Sequence, residues 1–498
     1  MGFVRRSQLS AYLTAGVAVT GAGLIPIPPV HPAPNVHEVL LTSVELGPLG
    51  DGTALLLGGS GYPVPSQGYL EAFNANFLAP LGYTGTNLVP VTTPESLYPF
   101  VPPGPFAATL NSSMATGEQI IEKEILSRVA SGEASPEHPL VVTGYSQSSI
   151  MDATLMKELA GKVPTEDLRF VLLGNENNPN GGFLERFDLP AGSNPTAESL
   201  GITFNGAMPS DLFPTDNFTD EYDGFADFPK YPINLLADIN AYLGILFNHI
   251  AYLGVTPEQA TPEADGGDAI LLPTSAVDTM VNYYMIPTES LPLVDLLRLV
   301  PFVGNPLADL VQPDLFVLVN LGYGNVDDTY LGGWDHGPAD VGTTMGFLPP
   351  QSVLDQVPEA LVKGLQQGVQ DMFKDLANPS NYQLISPQTM HEFLGPIVNA
   401  ATAAFDLDKS PSEMSSWFNS FLTSTIDNYK TGLTELSFTH TGIPPIDVAS
   451  TLLFTLPKVA EEMFQTQMAA GNPVDAVGDP LAAVVGLLPI LAIGALGL

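Results

Sequence analysis

The sequence predicts an α/β protein with a central parallel sheet and a largely helical C-terminal region. Three observations carry that prediction: a strand, sharp turn and helix over residues 139–159, a short apolar strand ending in glycines at 54–63, and helical apolar periodicity after residue 350. In the first, Pro139 to Val142 supply an apolar, β-branched run, Gly144 lets the backbone pass a tight turn, and Ile150, Met151 and Ala153 to Leu159 open a helical pattern. This is the pattern of a nucleophile elbow. It lifts the Ser146 hydroxyl above the sheet and lets the backbone N–H of Gln147 help stabilise an oxyanion. The string is G-x-S-x-S, with Ser148 where a second glycine is commoner, and Ser148 is small enough for helix and strand to approach closely. An ordinary strand-turn-helix junction reads the same way locally, so the remainder of the chain must distinguish the two.

A nucleophilic serine needs a base and an acid that orients it, and in the α/β-hydrolase arrangement these follow in the order Ser, Asp or Glu, His. Of seven histidines, His249, His336, His391 and His440 lie downstream of Ser146. Asp223 directly follows a strand end at Thr219 to Tyr222 and precedes Gly224, within an acid- and aromatic-rich segment that runs to Pro229. That places it at the carboxyl edge of the sheet, where α/β sites are built. Asp223 is the expected acid, with Asp227 as its substitute, and His249 is the expected base; the plain alternative for His249 is a partly buried helix histidine satisfied by a neighbour. His336, in a glycine-rich turn with Trp334, is the rival base. Upstream, the apolar strand Ala54 to Leu57 ends in Gly58, Gly59, Ser60 and Gly61. Glycines leave backbone N–H groups free to approach a charge, so Ser60 is the expected second oxyanion donor, unless the segment is a plain loop.

These strings carry a family resemblance. Gly-Gly-Ser-Gly-Tyr-Pro at 58–63, Gly-Tyr-Ser-Gln-Ser at 144–148, Leu-Gly-Asn-Glu-Asn-Asn-Pro-Asn-Gly-Gly at 173–182 and Tyr-Asp-Gly-Phe-Ala-Asp-Phe-Pro-Lys-Tyr-Pro at 222–232 resemble, in order, the PE-PPE-domain serine hydrolases of mycobacterial-type cell envelopes. The resemblance covers residues 45–275. It implies an α/β-hydrolase fold related to cutinases, esterase or lipase activity on acyl esters, and in some members acyl transfer onto trehalose glycolipids. Carried over by position, it makes Ser146 the nucleophile, Asp223 the acid and His249 the base. The helical PE or PPE leader that often precedes such a domain is not expected here.

Composition bounds the remainder. A chain of 498 residues is too long for one ordinary core, and 45% hydrophobic residues exclude a disordered one. A net charge of -38 opposes binding to nucleic acid or to anionic headgroups. Zero cysteines exclude disulfides, thiol catalysis and Cys-ligated zinc; neither metal-ligand spacing nor a phosphate loop occurs, so no cofactor is expected. Residues 1–44 read as a signal or signal anchor, Arg5 and Arg6 before an uncharged run from Leu9 to Ile25, followed by a proline-rich linker. This predicts export, with the catalytic domain outside the cytoplasm and either cleavage or retention; the alternative is a buried apolar segment of the mature fold.

The expected domains are thus 1–44, a catalytic domain at 45–275, a proline-interrupted connector or lid at 276–350, and a helical region at 351–498. In the connector, Pro292, Pro301 and Pro306 break the apolar stretch from Ser290 to Leu307 into short helical turns that either cover a cleft or pack as a spacer. Ser352, Ser386-Pro387 and Ser410-Pro411 open three helices, the first delayed by Pro358. The uncharged tail Leu481 to Leu498 suits contact with an envelope lipid layer or burial in a subunit interface. Two function classes follow: an exported serine esterase or acyltransferase acting on acyl esters or glycolipids, and a catalytically silent envelope protein that keeps the fold for binding or structure.

Overall fold

Nine short strands organise the described residues: β1 (Ala54–Leu56), β2 (Leu88–Pro90), β3 (Leu140–Tyr145), β4 (Leu168–Leu173), β5 (Thr196–Ala197), β6 (Ile202–Thr203), β7 (Thr215–Asp220), β8 (Ile270–Leu271) and β9 (Val281–Ile286). They belong to a computed structural model that describes residues 46–275, 279–326, 331–382 and 385–497. The segment read as a signal or anchor, residues 1–44, lies outside the described residues. Seven strands form one sheet in the order β2-β1-β3-β4-β7-β9-β8, parallel except where β8 runs against β9; β5 and β6 form a separate small ribbon. This is the expected α/β-hydrolase class.

Period-two alternation assigns the sheet's side chains to two layers. Leu55, Val142, Phe170 and Leu172 join one core with the helices Leu110–Ala130 and Gln147–Leu159. Ala54, Leu56, Val141, Val171 and Leu173 join the other with the helix Gln67–Phe73. Covered on both faces, β3 and β4 are largely apolar, as buried parallel strands are, whereas β7, Thr-Asp-Asn-Phe-Thr-Asp, is buried yet polar. β9 is buried at every position, so the sheet runs to Ile286 and the expected boundary at residue 275 falls between two paired strands.

The connector is helical. Pro292–Arg298 and Gly304–Asn320 pack beside Leu235–Phe247, with Leu291, Val294, Ala308 and Phe316 in a small core around Tyr222. Beyond it Val357–Leu376 starts one residue before Pro358 and lies on Gly304–Asn320, its Gly364 and Gly368 facing backbone at Pro313 and Leu310. The second expected helix runs as Thr389–Leu394 and Gly395–Ala404, and the third is Pro411–Glu435. Pro444–Ser450, Leu456–Ala470 and Pro473–Leu496 close the chain against each other. Pro473–Leu496 is long and apolar enough to cross a membrane by length and composition, yet 44% of its apolar window is buried in protein. Its inner face is small, with Ala476, Ala482, Ala483 and Gly486, and its outer face exposes Val474, Val477, Leu481 and Leu488.

Candidate active site

Strand order locates the site. From β1 the chain moves outward to β2, and from β3 it moves the opposite way to β4, so the crevice beyond the carboxyl ends of β1 and β3 is a topological switch point. β3 ends in Ser146, held at φ 57° and ψ -123°, a backbone conformation a non-glycine residue adopts only under constraint from its surroundings. The constraints are visible. Ser146 N–H and Ser149 Oγ both donate to Leu173 O at the end of β4, at 2.9 and 3.0 Å. Ser148 Oγ accepts from Tyr145 N–H at 2.8 Å, which gives the serine in the second-glycine position a role in fastening the turn. A Cβ on Gly144 would lie 2.6 Å from Ser149 Cα, so only glycine lets strand and helix meet here.

The β1 turn reaches the same place. A Cβ built on Gly59 would stand 3.0 Å from Ser146 Cβ. Gln147, fully buried, donates through Nε2 to Ser60 Oγ (2.8 Å) and Ser96 O (3.0 Å) and accepts from Ser113 Oγ at 2.5 Å. These bonds tie the Ser60 loop to the elbow helix. At the N-terminus of Gln147–Leu159 the first backbone N–H groups have no partner within the helix and point toward anionic charge.

Asp223 and His249 form the second half. His249 Nδ1 lies 2.8 Å from Asp223 Oδ2, and both side chains are buried. Asp223 Oδ2 also accepts from Tyr252 OH at 3.0 Å, and Oδ1 accepts from Phe225 N–H at 2.9 Å. With Nδ1–H donated to the carboxylate, Nε2 is the acceptor nitrogen of the neutral ring. It is buried and has no hydrogen-bond partner among the described residues. Phe225 lies edge-on to the imidazole at 4.9 Å between ring centres, and Tyr145 flanks it at 5.6 Å while donating to His249 O. Burial alone would lower the His249 pKa, but Asp223 and Glu176 outweigh it and raise the pKa above its ordinary value.

The substitute and the rival lie elsewhere. Asp227 accepts from Tyr222 N–H at 2.8 Å, and burial pushes its carboxyl well above the ordinary range. The His336 ring packs on Trp334 at 5.0 Å, beside Asp335, which pairs with Lys230 at 2.6 Å.

Four contributors had not been singled out from sequence. Tyr252 OH links Asp220 N–H to Asp223. Tyr145 holds the His249 carbonyl. Gly174, at φ +58°, leaves room for the imidazole, since a Cβ there would be 2.9 Å from His249 Cε1. Glu176 is buried, and burial foremost pushes its carboxyl up to about 7, with His249 lowering and Asp223 raising it. The string 173–182 contained the last two and the string 144–148 contained Tyr145; nothing local marked Tyr252.

Residues 84–324 match the PE-PPE domain. The chain is 38% identical over 442 residues to the uncharacterized PPE family protein PPE28 of Mycobacterium tuberculosis, covering 87% of this chain and 63% of that protein. To esterase PE16 of the same organism it is 40% identical over 326 residues, 64% of this chain and 56% of the relative. To the SL1278 acyltransferase Chp1 it is 28% identical over 305 residues, 56% and 68% of the two chains. The first two relatives are thus spanned for a little over half of their own length.

Proposed function

We propose that this chain, which belongs to the PE-PPE-domain proteins, is a serine hydrolase of acyl esters that works through an acyl-enzyme. The observation that carries the reading is a constrained serine at the switch point together with a buried His–Asp couple, joined through Tyr145, which precedes the serine and packs on the imidazole, while Nε2 has no hydrogen-bond partner among the described residues. Ser146 Oγ attacks the ester carbonyl, and His249 Nε2 takes its proton and passes it to the leaving alkoxide. Asp223 holds Nδ1–H and stabilises the imidazolium that forms. The backbone N–H groups of Gln147 and Ser60 receive the oxyanion. Water then releases the acid by the same steps.

Acyl transfer is the second reading, supported by the likeness to a relative named as an acyltransferase. A sugar hydroxyl, such as one of a trehalose glycolipid, replaces water at the acyl-enzyme. Export to the cell envelope, with the catalytic domain outside the cytoplasm, belongs to the same proposal and rests on the basic and apolar N-terminal sequence.

A fluorophosphonate probe tests the reading directly. It should label the native chain and not Ser146→Ala, and that substitution should remove hydrolysis of a p-nitrophenyl ester by on the order of a millionfold with circular dichroism unchanged. Residual activity above roughly a tenth would place the nucleophile elsewhere. An unlabelled, inactive native protein would mean a catalytically silent envelope protein.

A further inference from the structure

A cavity of about 80 Å³ lies between the C-terminal helices and the phenylalanines beside the site. Phe183, Phe187 and Phe204 form one wall, and Val448, Ala483 and Leu491 stand on the other. Its only polar side chains are Thr196, Thr451 and Thr455. Two of those hydroxyls are already engaged, Thr196 with Thr203 at 3.0 Å and Thr451 with Ser199 at 2.9 Å. No charged residue lines the space. A narrow space walled by apolar side chains, with nothing to bind a polar group, suits a flexible hydrocarbon.

The cavity is one ring away from the chemistry. Phe183 in its wall meets Phe225 at 6.2 Å, edge to face, and Phe225 in turn meets His249 at 4.9 Å. Phe225 is partly exposed, and its backbone N–H is held by Asp223. Pro99 and Phe100 line the same space and belong to the loop whose Ser96 carbonyl anchors Gln147. The cavity therefore lies beside the ring that packs on His249 and beside the loop that anchors Gln147. Its far wall is the last helix, seated closely enough that a Cβ on Gly486 would be 3.0 Å from Phe187 and one on Gly494 would be 3.1 Å from Phe100.

We infer that this cavity receives the acyl chain of the substrate, with Phe225 at its throat and the helices Pro444–Ser450, Leu456–Ala470 and Pro473–Leu496 as its outer wall. The inference rests on the ester-hydrolase reading for the group at the head of the chain, and it makes the substrate a long-chain ester. The C-terminal helices are then part of the substrate site.

The test compares p-nitrophenyl acetate, octanoate and dodecanoate on the native chain and on Ala483→Phe, which fills the cavity away from Ser146. The native kcat/KM should rise by about threefold per methylene until the cavity is filled. Ala483→Phe should lose tenfold or more on dodecanoate and stay within twofold on acetate. Met463→Ala, which enlarges the cavity from the neighbouring helix of the same wall, should shift the optimum to longer chains and guards against a folding defect in the first variant. Independently of turnover, the polyene fatty acid cis-parinarate should bind Ser146→Ala and not Ser146→Ala with Ala483→Phe. A native chain-length profile retained in folded Ala483→Phe, or no parinarate binding, overturns the inference even if the fluorophosphonate still labels Ser146. Parinarate binding that Ala483→Phe abolishes, in a chain no probe labels, leaves the cavity standing and removes the hydrolase reading.

Discussion

The polar wall of the site and the apolar wall beside it meet at Phe225 and are built by different means. On the polar side each group has a named partner: Asp223 takes hydrogen bonds from His249, Tyr252 and Phe225, and Gln147 joins Ser60, Ser96 and Ser113. Directional bonds tolerate little displacement, so each residue there has one acceptable identity or a near isostere. On the apolar side Phe183, Leu487 and Val448 are held by non-directional packing, which many combinations of similar volume satisfy. Substitutions in the first wall should change rates alike for every ester. Substitutions in the second should change which ester is preferred.

The largest effect expected from that contrast, after loss of Ser146 itself, lies in the couple that orients the proton. His249→Ala should approach the serine variant in severity, and Asp223→Asn should cost on the order of ten thousandfold in kcat by favouring the wrong tautomer. Both losses should be equal on acetate and dodecanoate. Asp227→Asn should cost far less in rate, because Asp227 holds Tyr222 N–H and not the imidazole. Steady-state rates on both esters decide the matter, and an Asp227→Asn variant more damaged than Asp223→Asn would reverse the assignment.

A smaller loss is expected at Tyr252, which touches no reacting atom and acts through Asp223. Tyr252→Phe removes a hydrogen bond to a carboxylate, worth about 1.5–3 kcal/mol, so kcat should fall by about tenfold to a hundredfold with KM little changed. A variant that melts lower and keeps native kcat would show that the hydroxyl serves only the fold.

How much of this was legible in sequence follows the same division. Ser146, Asp223 and His249 could be located because an elbow and a strand-end acid are local patterns and chain order links them. Tyr252 and Tyr145 were silent, since their partners lie 29 and 104 residues away and nothing near a tyrosine reveals what its hydroxyl will meet. β9 escaped because the resemblance stopped at residue 275, although Val281 to Ile286 is rich in the branched and aromatic residues of strands, with Asn282 as its one strongly polar member. The tail from Leu481 read as apolar, with contact to lipid or to another subunit as its expected fate. Composition could not show that Gly486 and Gly494 face Phe187 and Phe100, because apolar periodicity says that a face is covered and not by what. The stretch 290–307, weighed as a lid, has none of its residues in the cavity wall.

The smallest and most specific expectation concerns pH. His249 acts as a base only when unprotonated, so kcat/KM should rise with pH and level off above the pKa of the free enzyme, which Asp223 and Glu176 place above the ordinary histidine value. Glu176 is itself pushed up to about 7, chiefly by burial, with the charge of His249 lowering it, so the two groups influence each other's titration. Its carboxylate favours the imidazolium; replacing it with a neutral amide of the same shape must lower the His249 pKa. Glu176→Gln should therefore move the limb to lower pH by less than about one unit, leave the plateau rate nearly native, and raise activity relative to the native chain near pH 6. The shift should be identical for acetate and dodecanoate, because charge at the imidazole is indifferent to what fills the apolar wall. A limb that stays in place or moves upward would mean that the Glu176 charge is not felt at His249, and a shift seen with only one ester would mean that the two walls are not separable.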